Sequence, residues 1–181
     1  MVRECNIFVG LHGLRFLFRA YFIGYLPHMY SKDEASQIRQ AFWTTFGQYI
    51  APQLSAEGLK VNWINYKTGI KHLYFKMEAG KRTASIAIEM AHPDAGIREL
   101  FFEQFTELRI MLRSTLGEEW EWQPEYTDDN GKTTSRIYKQ LDKTSIFNKN
   151  DWPALISFFK PRIILLDEFW SDAKYAFDAL K

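Results

Sequence analysis

Residues 59–91 read LKVNWINYKTGIKHLYFKMEAGKRTASIAIEMA, and their alternation decides the fold class. Leu59, Val61 and Trp63 alternate with Lys60 and Asn62, the period-two signature of a half-buried strand. Lys67-Thr68-Gly69 supplies a turn. A second strand follows, with Leu73, Phe75 and Met77 on one face and His72, Tyr74, Lys76 and Glu78 on the other. Ala79-Gly80-Lys81 turns the chain again. The third strand sets Ala84, Ile86, Ile88 and Met90 opposite Thr83, Ser85, Ala87 and Glu89. Connections this short make the strands antiparallel neighbours.

Helix signals flank this ribbon. Ser31 with Glu34 forms a capping-box pattern, and Ala35, Ile38, Phe42, Phe46 and Tyr49 recur at helical spacing behind it. After the ribbon, Asp94 opens a long helix predicted over residues 94–116, whose stripe is Ile97, Leu100, Phe101, Phe105, Leu108 and Leu112. Gly117 suits its C-terminal cap. Trp120, Trp122 and Tyr126 alternate in a fourth strand. Asp128-Asp129-Asn130-Gly131 is a hairpin signal before a fifth strand near residues 134–141. Asp151 with Pro153 opens one further helix and Pro161 a second, with Leu166, Phe169, Trp170, Ala173, Phe177 and Leu180 as the last apolar face. The expected fold is a single α+β domain over residues 29–181, in the order α-β-β-β-α-β-β-α-α, with an antiparallel sheet packed by amphipathic helices.

Composition agrees with one well-packed domain. The 181 residues are 46% apolar and include six Trp, nine Tyr and fifteen Phe, enough large side chains for a real core. Net charge is +1, without the broad positive surplus of a dedicated nucleic-acid binder. Cys5 is the only cysteine, so no internal disulfide can form and a reducing cytoplasm is the expected location. Residues 1–28 are atypical. Residues 7–26 are rich in apolar side chains, but Arg15 and Arg19 near the centre argue against a membrane span. The stretch is either an amphipathic helix or sequence upstream of a true start at Met29, where a soluble-domain pattern begins abruptly. The abrupt change favours the internal start.

The α-β-β-β-α opening resembles the restriction-endonuclease-like core. That core implies an acid near the start of the second strand and Glu-x-Lys on the third, to hold a divalent metal and orient water. Here the third strand reads Glu89-Met90-Ala91 and the second begins Ile70-Lys71-His72, so neither the lysine nor the acid is in place. No catalytic residue, metal ligand set or cofactor motif is assigned. The candidate polar site is the sheet face carrying His72, Tyr74, Lys76, Ser85 and Glu89, a constellation suited to a polar ligand. The plainer alternative is a solvated face with Glu89 in an ion pair. His92-Pro93-Asp94 reads as a helix cap rather than an anion site, and Trp120 and Trp122 as aromatics packed on a helix rather than base-stacking platforms.

Residues 29–181 also resemble a bacterial family known as domain of unknown function 4268. The likeness lies in Arg39-Gln40-Ala41-Phe42-Trp43, in residues 59–69, in residues 98–105, in residues 147–156 and in Asp167-Glu168-Phe169-Trp170. It implies a link to DNA processing or defence, with nucleic acid or a nuclease-like protein as partner, and supplies no site. The expectation is a non-catalytic binding or accessory module. One alternative is a divergent metal-dependent phosphodiesterase retaining Glu89. Another is a protein–protein module with an exposed apolar patch around Trp170.

Overall fold

The computed structural model describes residues 30–128 and 130–180. The reading of residues 1–28 lies outside them. The chain folds as a mixed α+β domain with a four-stranded antiparallel sheet. Helix α1 spans Lys32–Ile50. Its capping box forms as expected: Glu34 N donates to Ser31 Oγ at 3.2 Å, and Ser31 N donates to Glu34 Oε2 at 2.8 Å. Strands β1 (Leu73–Ala79) and β2 (Thr83–Met90) form the hairpin, followed by helices α2 (Ala95–Glu107) and α3 (Arg109–Leu116). Strands β3 (Glu121–Thr127) and β4 (Thr133–Asp142) form a second hairpin, and helix α4 (Trp152–Ala173) leads into a 3-10 segment, Lys174–Leu180. The spatial order is β1-β2-β4-β3, so β4 returns to pair with β2 after the helical crossover.

Three expectations need correction in detail. Residues 59–63 are not a strand, so the ribbon has two strands and not three. Their alternation has no sheet beneath it. Trp63 alone is deeply buried, with its Nε1 donating to Gln53 O at 3.0 Å, while Leu59 lies exposed. Residues 51–72 instead form a long irregular segment. The helix predicted over 94–116 breaks at Leu108 (φ −90°, ψ 8°), and of its expected apolar stripe Ile97 and Leu100 are exposed while Phe101, Phe105 and Leu112 are buried. Pro161 starts no new helix. It lies inside α4, where it offers no N–H to the carbonyl one turn back. Burial of Phe158, Phe159, Ile163 and Leu166 on one continuous face outweighs that loss.

The sheet register separates two faces. Phe75, Ile88, Ile137 and Trp122 lie in one cross-strand row. They face the helices, with Phe75 against Trp170 (ring centroids 5.7 Å) and Trp122 against Phe102 (5.7 Å). One residue along each strand, Tyr74, Glu89, Arg136 and Gln123 form the opposite row. That polar row carries the candidate site.

Candidate functional site

Small side chains create a hollow in the polar face. Ala87 pairs with Lys76 on one side and Tyr138 on the other, and Ser85 pairs with Glu78 and Gln140. Larger neighbours rise around them and enclose a cleft of about 230 Å³. Glu89 lies in it, only 8% exposed. Lys76 Nζ donates to Glu89 Oε2 at 3.1 Å and sits 2.9 Å from Glu78 Oε1. Lys132 Nζ approaches Glu89 Oε1 at 3.7 Å from the far side. A carboxylate this buried requires such partners, because removing an unpaired charge from water is costly. Partial burial works against the charged form of Lys76. The hydrogen bonds and charges of Glu78 and Glu89 outweigh it and raise the lysine above its ordinary value.

The second hairpin completes the cleft. Arg136 is the cross-strand neighbour of Glu89. Its guanidinium lies 3.4 Å from the ring centroid of Tyr126 and 4.2 Å from that of Tyr138, and its Nε donates to Gln123 Oε1 at 2.6 Å. Among the described residues Arg136 has no carboxylate partner. Asp128 accepts from Asn130 N and Lys132 N, each at 2.9 Å. Those turn amides, that of Lys132 foremost, hold the Asp128 carboxyl below its usual range. Thr134 lines the same cleft, is 3% exposed, and its Oγ1 finds no hydrogen-bond partner among the described residues. Buried hydroxyls without partners are rare in folded proteins.

The five residues singled out from the sequence fare differently. Tyr74, Lys76, Ser85 and Glu89 share the polar face, with Tyr74 directly across from Glu89 and 45% exposed. His72 lies before β1. Its backbone is left-handed (φ 66°), which ends the strand alternation one residue early, and its ring meets that of His92 edge-on at 4.8 Å. Burial, then the charges of His92, Lys71 and Lys132, lower the His72 pKa. Sequence reasoning missed Lys132, Thr134 and Arg136. Alternation in residues 134–138 was a signal that they share a face, but nothing local says that β4 lies beside β2.

The remaining candidates have structural places. Asp94 Oδ1 accepts from Ile97 N at 3.1 Å and caps α2. Trp120 is buried, and Trp122 packs on Phe102 with Arg109 over its ring. Trp170 is 2% exposed and donates to Thr68 O at 2.8 Å, so its own ring offers no exposed surface. Among the described residues no three His, Cys, Asp or Glu side chains group as a metal would need. No helix among them is long and apolar enough to cross a membrane.

The family described as "Domain of unknown function (DUF4268)" matches residues 38–174, three quarters of the chain. The chain belongs to the DUF4268 family. The matched DUF4268 region contains the whole sheet and every residue of the cleft. No curated protein and no solved structure matches the chain.

Proposed function

We propose that this chain is a non-catalytic binding module, an accessory domain rather than an enzyme, whose ligand enters the cleft on the polar sheet face. One observation carries the reading: a buried carboxylate, Glu89, held between two lysines, beside an arginine with no acidic partner and a buried threonine hydroxyl with none at all. An ordinary solvated sheet face has no need of a buried hydroxyl left without a partner. Lys76 supports the non-catalytic part. Its ammonium bridges Glu78 and Glu89, so a metal shared by those carboxylates would have to displace a lysine whose pKa is already raised. The same protonation makes Lys76 a poor general base or nucleophile.

The sequence resemblance suggests the setting, an accessory to DNA processing or defence with nucleic acid or a nuclease-like protein as partner. A duplex-binding surface would need Lys60, Lys67, Lys71, Lys76 and Arg82 to converge without acids between them, and Lys76 lies between Glu78 and Glu89. The cleft favours a compact polar ligand. Amide chemical-shift mapping with a panel of small polar metabolites tests this. Perturbations clustered on Lys76, Glu89, Lys132 and Arg136 are expected, without turnover of the bound compound. A panel that leaves those amides unmoved, or a compound converted on binding, overturns the reading.

A further inference from the structure

A second, longer groove meets the cleft at Lys76, Glu89 and Lys132. It encloses about 550 Å³, within the range of small-ligand sites, and runs beside β1 past Tyr74 to Trp43 and Ile64. The two hollows differ in chemistry: the groove adds aromatic and aliphatic side chains where the cleft has charged ones. We propose that the joined site takes a ribonucleotide, with its base in the groove against Tyr74 and Trp43, its ribose hydroxyls on Glu89, and its phosphate at Lys132 and Arg136. The proposal rests on reading the cleft as a ligand site and names the ligand.

Each part of such a ligand meets a group with capacity left over. An ionised carboxylate accepts about four hydrogen bonds, and Glu89 receives one from Lys76 Nζ with a looser approach by Lys132. Adjacent ribose hydroxyls are donors that a buried acid reads well. The cleft lining is neutral overall, with Lys76, Lys132 and Arg136 against Glu78, Glu89 and Asp128, so a phosphate is placed by which cations are least engaged. Lys76 is spent between Glu78 and Glu89, and Asp128 is occupied by the amides of its own turn. Arg136, which stacks near two tyrosine rings and has no carboxylate partner among the described residues, and the loosely held Lys132 remain to face a phosphate. Thr134 Oγ1 supplies the further buried donor that currently has no partner. Tyr74, half exposed beside Glu89, offers a flat face to a base, a contact that tolerates any base identity.

Calorimetric titration of the full chain tests the assignment with ribonucleoside 5′-monophosphates, their 2′-deoxy counterparts, the parent nucleosides, inorganic phosphate and free amino acids. The expected result is binding of the ribonucleotide at least tenfold tighter than of the deoxy form or the nucleoside. Glu89→Gln should abolish the preference for ribose. Lys132→Ala, at an exposed position, should lower nucleotide affinity toward that of the nucleoside, and adding Arg136→Ala should remove the remaining difference. Parallel titrations with 5′-phosphorylated and unphosphorylated RNA oligonucleotides separate a free nucleotide from a strand end as the source: only a strand end makes the phosphorylated oligonucleotide the tighter ligand. Equal affinity for ribo and deoxy forms, saturation by phosphate alone, or binding of amino acids in place of nucleotides overturns the nucleotide assignment while leaving the cleft a ligand site. If no probe binds and no cleft amide moves, both readings fall.

Discussion

Thr134 shows how a site can be recognised from a single atom. A buried hydroxyl without a partner forfeits about 1–3 kcal/mol relative to a satisfied one, so its presence in an otherwise well-bonded hairpin calls for a reason. Nearby Ser135, also buried, donates to Pro124 O at 2.6 Å and leaves nothing to explain. If Thr134 is kept for a ligand, Thr134→Val should leave the free protein as stable or raise its stability by up to about 1 kcal/mol in urea unfolding, while weakening ligand binding. A loss of more than about 1 kcal/mol would place the hydroxyl among structural groups. His72 is the counterpart on the first hairpin. Alternation counts it into β1, but it lies one position before that strand, and its left-handed backbone is invisible to a pattern of side-chain polarity.

Helix α4 shows why a local rule gave way to packing. Proline inside a helix costs roughly 3 kcal/mol, yet Pro161 is carried by a face on which Phe158, Phe159, Ile163 and Leu166 are all buried. The turn at Pro161 also gains a tether. Arg162 binds Glu118 through two bonds of 2.8 Å, Nε to Oε1 and Nη2 to Oε2, joining α4 to the segment between α3 and β3. Burial opposes ionisation of Glu118, but Arg162 and the Trp120 indole outweigh it and hold the carboxyl below its ordinary value. Because the folded state favours the ionised acid, its contribution is fully present above the ordinary glutamate pKa of about 4.3 and is lost as pH falls through the lower folded value. Glu118→Gln should therefore destabilise by about 1–3 kcal/mol at neutral pH. The gap from wild type should close below that range, as read by denaturant melts across pH. A gap that stays constant into acid would refute the ionic origin.

A buried acid helps hold down the irregular stretch over residues 51–72. Asp167 of α4, 5% exposed, accepts from Tyr66 Oη at 2.7 Å and from Ala56 N at 2.6 Å. Burial and this carboxylate push the Tyr66 phenol far above its ordinary value, so it remains a donor. Glu57 pairs with Lys174, and Thr68 is pinned by Trp170 Nε1 and by its own bond to Leu73 O at 2.8 Å. Asp167→Ala should cost about 1–3 kcal/mol by removing the hydrogen bonds from Tyr66 Oη and Ala56 N. Hydrogen exchange should accelerate across residues 55–68 before it does in the sheet, and uniform acceleration would contradict a local latch. Since Ile64 and Tyr66 line the groove, the same variant should also loosen its outer wall.

Much of the molecule was legible in order along the chain. The capping box at Ser31, the β1–β2 hairpin, the cap at Asp94, the second hairpin and the two faces of each strand all follow from neighbours within a few residues, where backbone geometry and side-chain chemistry act directly. Tertiary structure alone decided the rest. Residues 59–63 alternate like a strand but find no sheet edge to join, Pro161 is overruled by a buried face, and Lys132, Thr134 and Arg136 join the cleft around Glu89 only because β4 folds back against β2. A site assembled across that return depends on which distant strands pair, and pairing is chosen by the burial of the whole apolar face, a free energy that no short window of residues contains.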